Sequence, residues 1–111
     1  MLSGFFVYDG FNILDLTGPF EVLSTANRMM IESGYSEKYI INICSLYGGR
    51  VSSNSGIHID TCSIKEFLNI KINSLVFIGG LEAENIAKER DCIFYLKNFL
   101  PENTATSMLL F

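Results

Sequence analysis

Apolar and polar positions follow one another along this chain in blocks that predict strands and helices in turn. Residues 2–8 are almost continuously apolar, which is typical of a strand buried on both faces of a parallel sheet. A helical stripe with three- and four-residue spacing then predicts an amphipathic helix that ends at the glycine stop Ser33-Gly34. Residues 39–46, rich in β-branched and aromatic side chains, predict a second buried strand. The apolar stripe of the helix consists of Val22, Leu23, Ala26, Met29 and Met30.

Strand, helix and strand in this order form a βαβ unit, so the two strands should be parallel with a right-handed crossover. At 50–60 the pattern changes to short segments in which apolar and polar residues alternate, and these predict a small hairpin or an extended loop. Residues 64–70 indicate a short helix or turn, and 72–78 predict another buried strand. Helical patterns follow at 82–90 and 92–100.

The last residues, 104–111, turn apolar again and read as a strand that stops on Leu-Leu-Phe. A strand inside a parallel sheet normally leads into a turn and a helix, so we expect 1–111 to be a partial domain, cut inside its fold. An apolar end segment and an open sheet edge favour pairing with another chain. The sequence therefore predicts self-association, with Leu109 and Phe111 at or near the contact.

Charge and cysteine content narrow the range of functions. The net charge is −4 and there is no basic block, so this segment should not bind nucleic acid. No apolar run reaches the roughly 18 residues that span a bilayer. Three cysteines without CxxC spacing indicate neither a zinc site nor a disulfide framework, and they fit a cytoplasmic protein. His58 has no partner ligands nearby in sequence, so we expect no metal and no cofactor.

Candidate site residues gather where the first strand turns into the first helix. Thr17 is the predicted N-cap, with Gly18-Pro19 in the first turn, where the missing proline N–H loses no partner. Asp15 then lies just before or within the first turn, at the carboxyl end of the first strand, where open α/β sheets form their sites. The alternative is a solvated carboxylate that merely suits the helix terminus. Glu21 either lines the same pocket or only occupies a partly buried helix face.

A pair of glycines, Gly79 and Gly80, follows the strand at 72–78. Glycine lets backbone approach a neighbour or a ligand closely, so both are candidate ligand-binding positions beside Asp15 and Glu21. Because no GxGxxG or P-loop spacing follows, the simpler interpretation is a tight exit from the strand.

Three stretches together resemble one known family. They are the segment 13–23 (Ile-Leu-Asp-Leu-Thr-Gly-Pro-Phe-Glu-Val-Leu) with Ala26-Asn27-Arg28, the segment 48–56 (Gly-Gly-Arg-Val-Ser-Ser-Asn-Ser-Gly), and the segment 75–80 (Leu-Val-Phe-Ile-Gly-Gly). In this order they resemble the ThiJ/PfpI superfamily, which has the class I glutamine amidotransferase-like fold. The branches that look most similar are the N-terminal domain of AraC-type, GlxA-like transcriptional regulators and the isonitrile hydratases.

The resemblance implies an α/β fold, a flavodoxin-like three-layer sandwich with a mostly parallel sheet. Active members of the superfamily carry a cysteine on a tight strand-to-helix turn, with an acid beside it that falls here on Asp15. The position of the cysteine falls on Leu109, so we expect no cysteine-dependent catalysis. The resemblance favours a non-catalytic domain that senses an unknown small molecule in an AraC-type regulator. The alternatives are a truncated, inactive hydrolase or hydratase and a remnant without activity.

Overall fold

The computed structural model describes residues 2–36, 39–67 and 74–99. The predicted segment at 104–111, with Leu109 and Phe111, therefore lies outside the described residues, as does the start of the strand predicted at 72–78. The elements that the structure describes are, in chain order, β1 Leu2–Phe6, α1 Ile13–Glu32, β2 Ile40–Ser45, β3 Gly49–Ser52, β4 His58–Ser63, α2 Ile64–Phe67, β5 Ser74–Phe77, α3 Ala83–Ala87 and α4 Arg90–Phe99.

The strands form one sheet in the order β3-β4-β2-β1-β5. Strand β1 pairs in parallel with both β2 and β5, and β2 pairs in parallel with β4. Only the hairpin between β3 and β4 is antiparallel within this sheet. The predicted flavodoxin-like α/β fold with a mostly parallel sheet is thus confirmed, and so is the hairpin predicted at 50–60.

Strand β1 lies inside the sheet and all of its residues are buried. Phe5 and Phe6 give it a large apolar side chain on each face, and the polar Ser3 accepts a hydrogen bond from the Ser74 hydroxyl at 2.9 Å. Phe5 packs against Phe20 of α1 with ring centroids 6.1 Å apart, whereas Phe6 stacks on Phe77 of β5 at 5.0 Å. Burying such a ring contributes about 1.5–3 kcal/mol. Phe5 therefore joins β1 to helix α1, whereas Phe6 joins it to the neighbouring strand β5.

Helix α1 begins earlier than predicted. Its N-cap is Asn12, and Thr17 lies inside the helix with its hydroxyl donating to the Ile13 carbonyl at 3.0 Å. The capping prediction for Thr17 was wrong because it placed Pro19 in the first turn, whereas Pro19 lies within the helix and has no N–H to give the Asp15 carbonyl. Gly18 makes this tolerable, since it has no Cβ to clash with the proline ring.

The face that α1 turns to the sheet also differs from the predicted stripe. Val22 and Met29 are 68% and 60% exposed, whereas Leu16 is buried and Phe20 and Leu23 pack against the core. These last residues recur at four- and three-residue spacing, which places them on one side of a helix that starts at Ile13. The end of the helix is as predicted: Ser33 is the C-cap, and Gly34 has a φ of 85°, which favours glycine.

Candidate functional site

The carboxyl end of β1 is a topological switch point. From β1 the chain crosses to β2 on one side and later returns to β5 on the other. The loops that leave β1 and β5 therefore diverge from adjacent strands, and open α/β sheets bind their ligands in the crevice that this produces. The candidate site is accordingly the loop 7–12, the first turn of α1 and the loop 78–82.

Backbone hydrogen bonds fix these loops to one another. The N–H of Asn12 donates to the Gly79 carbonyl at 2.9 Å, which ties the exit of β1 to the exit of β5. The N–H of Gly10 donates to the Ser52 carbonyl at 2.8 Å, which ties the same loop to the β3–β4 hairpin. Phe11 is fully buried and forms isolated β-bridges with Ser53 and with Gly80. The backbone around the site is thus held from both sides before any ligand binds.

Asp15 is oriented by a short chain of amide groups. The side-chain amide of Asn54 donates to Asn12 Oδ1 at 2.7 Å, and Asn12 Nδ2 donates to Asp15 Oδ2 at 3.1 Å. Asp15 lies within the first turn of α1, one of the two positions expected for it, and the helix dipole there stabilises a negative charge. A carboxylate has more acceptor positions than one such bond uses, so Asp15 can still accept a hydrogen bond from a ligand.

Tyr8, which was not predicted from the sequence, adds a buried hydroxyl group to the candidate site. Its side chain is only 5% exposed, and its hydroxyl has no hydrogen-bond partner in the part of the chain that the structure describes. Burial, together with the charges of Asp15 and Glu82, raises the pKa of Tyr8 to about 12. The signal in the sequence was a tyrosine at the end of an otherwise apolar strand, directly before a turn.

The two glycines of the site have different surroundings. Gly79 is buried and accepts the hydrogen bond from Asn12. At Gly80, a Cβ atom would lie 2.8 Å from the Gly10 carbonyl oxygen and 3.0 Å from the Tyr8 hydroxyl. Gly80 therefore permits close packing of two loops, in line with the tight strand exit proposed above. That Gly79 and Gly80 contact a ligand stays a prediction.

Glu21 lies apart from this group. It is exposed on α1, its Oε1 lies 3.5 Å from the Thr25 hydroxyl, and it lines a shallow apolar groove with Val22 and Met29. The structure thus brings Asp15, Gly79 and Gly80 to one loop cluster and leaves Glu21 further along the helix. A ligand contact by Glu21 likewise stays a prediction.

A cavity of about 250 Å³ opens beside the cluster, at the carboxyl ends of β1 and β2. One rim carries Tyr47, whose hydroxyl donates to Asp91 Oδ2 at 2.6 Å, and this bond raises the pKa of Tyr47 to about 12. The lining residues are Phe6, Val7, Tyr8, Asp9, Ser45, Leu46, Tyr47, Gly48, Arg50, Val51, Ile86 and Glu89. Tyr8 thus lines the cavity, while its hydroxyl lies close to the position of Gly80.

The three cysteines all have raised pKa values, so none of them is an activated nucleophile. Cys44 and Cys92 are fully buried; burial raises the pKa of Cys44 well above its ordinary value and that of Cys92 to about 11. Cys62 is partly exposed, and its pKa is also raised by burial. A thiol with a raised pKa carries little thiolate at neutral pH, and the thiolate is the nucleophile. Leu109, at the family's cysteine position, lies outside the described residues.

The described residues also contain no group of three or more histidine, cysteine or acidic side chains that could hold a metal ion. His58 is exposed, with its Nδ1 atom 2.8 Å from the Ser52 hydroxyl. Among the helices that the structure covers, none is long and apolar enough to cross a membrane.

Solved structures show what this arrangement is similar to. No protein-family model and no curated protein matches the sequence. An AraC family transcriptional regulator from Pseudomonas putida matches with a TM-score of 0.78 and 22% sequence identity. DJ-1beta from Drosophila melanogaster matches with a TM-score of 0.69 and 14% identity, and a ThiJ/PfpI family protein from Pseudomonas syringae with 0.71 and 18%.

Each of these matches covers 96% of this chain, and the chain spans 62%, 53% and 40% of the regulator, of DJ-1beta and of the ThiJ/PfpI family protein, respectively. At these identities the likeness is one of fold. The chain has a ThiJ/PfpI-type fold, as the resemblance of its motifs predicted.

Proposed function

We propose that this chain is a non-catalytic domain that binds a small molecule and belongs to an AraC-type transcriptional regulator. The observation that carries this proposal is the position of Asp15. An amide chain holds its carboxylate at the switch point of the sheet, where the fold forms its sites, and the described residues place no activated thiol beside it. A fixed acid without a nucleophile suits binding better than turnover.

One comparison supports the regulator class. The AraC family transcriptional regulator from Pseudomonas putida shares the fold over 96% of this chain, with a TM-score of 0.78. A cytoplasmic location is part of the same proposal, and it is the location expected from the three cysteines. The net charge of −4 assigns any contact with DNA to a different segment from this one.

A ligand screen on the purified chain tests this function. Thermal denaturation is followed in the presence of a library of amino acids, amines, amides, nucleosides and sugars, with wild type, Asp15→Asn and the control Glu32→Gln compared. Glu32 is an exposed carboxylate at the last residue of α1, at the opposite end of the helix from Asp15. We expect at least one compound that raises the Tm of wild type and of Glu32→Gln but not of Asp15→Asn.

An activity assay decides against the enzyme alternative. The same preparations are incubated with an isonitrile and with a p-nitroanilide amide, and product is measured over hours. We expect no turnover above the buffer rate. Turnover that disappears when a single cysteine is replaced by serine would instead establish a cysteine-dependent hydratase or hydrolase.

A further inference from the structure

We propose that the Tyr8 hydroxyl donates a hydrogen bond to the ligand of this site, and that the ligand is a small uncharged molecule with a carboxamide group. Because it names the ligand of the Asp15 site, this rests on the proposed function. It assigns a binding role to a residue outside the three motifs that carry the family resemblance.

The hydroxyl of Tyr8 needs an explanation within the fold itself. A buried hydroxyl without a partner destabilises a protein, and most buried polar groups are paired. The ring of Tyr8 already packs on Phe77 with centroids 5.6 Å apart, a contact that phenylalanine would make equally well. The oxygen therefore adds nothing to the packing of the free protein, while it places a donor beside Gly80, at the loop that leaves β5. Because this oxygen is buried in the free protein, a ligand reaches it only when that loop gives way.

The charges around the hydroxyl restrict what can bind there. The charged groups that act on Tyr8 among the described residues are the carboxylates of Asp15 and Glu82. Glu82 approaches from the loop after β5, with its Cγ 3.8 Å from where a Cβ on Gly10 would lie. A phosphate or carboxylate ligand would meet two acidic side chains, and like charges disfavour binding. An anionic ligand is therefore a poor match for this place.

The hydrogen-bonding capacity of the three groups then defines the ligand more closely. The phenol offers an O–H donor, because a tyrosine is protonated at neutral pH. The carboxylates accept hydrogen bonds. A carboxamide presents a carbonyl oxygen and N–H groups on adjacent atoms, so it can accept from Tyr8 and donate to Asp15 or Glu82. An ammonium group could satisfy the carboxylates, but it has no acceptor for the Tyr8 proton.

Three probes that share a phenyl ring and differ in the polar group test this assignment. Benzamide, benzoate and benzylamine are titrated against wild type, Tyr8→Phe and the control Tyr35→Phe by ligand-observed NMR. Tyr35 is 67% exposed and lies just beyond the carboxyl end of α1, at the opposite end of that helix from Asp15, so its substitution removes a phenol elsewhere. We expect benzamide to bind wild type and Tyr35→Phe equally, and Tyr8→Phe about three- to tenfold more weakly, the effect of one neutral hydrogen bond.

Several results would overturn the assignment. They are equal binding of benzoate and benzamide, binding of benzylamine that equals that of benzamide, unchanged binding of benzamide to Tyr8→Phe, and no binding of any probe. If the library contains a compound whose effect depends on Asp15 but not on Tyr8, the proposed function stands and only the ligand class fails. If no library compound depends on Asp15, both fail.

The stability of the free protein gives a separate readout. If the Tyr8 hydroxyl has no partner, Tyr8→Phe should melt at a higher temperature than wild type without ligand, since it removes an unpaired buried group and keeps the ring. A lower melting temperature would show that the hydroxyl is already satisfied, for example by a bound water, and would overturn the proposal. Tyr35→Phe again serves as the control.

Discussion

Replacing Gly80 by alanine tests the packing of the candidate site directly. The added methyl group would lie 2.8 Å from the Gly10 carbonyl oxygen, 3.0 Å from the Tyr8 hydroxyl and 3.2 Å from the Phe11 Cα atom. Two of these are backbone atoms, and Gly10 cannot retreat freely because its N–H is bonded to the Ser52 carbonyl. Overpacking of this kind typically costs about 1–3 kcal/mol. For a chain of this size each kcal/mol corresponds to a Tm lower by roughly 4–8 °C.

Urea unfolding followed by far-UV circular dichroism measures the change, since the chain has no tryptophan to report on it. The neighbouring substitution Leu81→Ala is the matched control: Leu81 is 95% exposed, and exposed positions usually change stability by less than about 0.5 kcal/mol. The double variant with Tyr8→Phe should recover only the part of the loss that comes from the hydroxyl. A Gly80→Ala protein as stable as wild type would show that the loops can separate and would refute the close packing described here.

Three further outcomes follow from the structure. Asn27→Ala should lower the free energy of unfolding by about 1–3 kcal/mol in the same assay, because the Asn27 side chain pairs with both the N–H and the carbonyl of Tyr39, at 2.6 and 2.7 Å. With a disulfide reagent at pH 8, Cys62 should react before Cys92, which is fully buried and has a pKa of about 11; mass spectrometry of the labelled peptides gives the order. The pKa of Tyr8 is about 12 in the folded protein and about 10 in the unfolded chain, so between these pH values the unfolded chain loses a proton that the folded protein keeps. The free energy of unfolding should therefore fall as the pH rises from 10 to 12, and it should fall less steeply in Tyr8→Phe.

The sheet and the hairpin could be predicted from the sequence because they depend on burial. Strand β1 lies within the apolar run 2–8 and is buried throughout, as predicted. Strand β2 lies within 39–46, but the prediction that it is a buried strand holds only for its last two residues, Cys44 and Ser45. The start of α1 could not be predicted in the same way. The rule that places proline in a first turn describes helix ends in general, whereas here the missing Cβ of Gly18 lets Pro19 lie inside the helix.

The candidate site was predicted only as far as local sequence determines it. Asp15 was expected just before or within the first turn of α1, and the structure places it within that turn because the helix begins at Ile13 and not after Thr17. Its orientation was not predictable, since it depends on Asn54, which lies 42 residues from Asn12 in the chain and reaches it only through the β3–β4 hairpin. Side-chain hydrogen bonds of this kind depend on the register of strands that are distant in sequence.

Tyr8 shows why local rules fail at a site of this kind. At the end of a buried strand, pattern alone favours a purely apolar residue, and tyrosine satisfies the pattern with its ring while adding an oxygen that the fold does not use. The cost of an unpaired hydroxyl, about 1–3 kcal/mol, is a considerable part of the 5–15 kcal/mol that stabilises a typical domain. A ligand that accepts a hydrogen bond from Tyr8 removes this cost on binding, so it stabilises the folded chain beyond its other contacts. The rise in Tm that such a ligand causes in wild type should therefore be smaller in Tyr8→Phe, although that variant is the more stable protein when free.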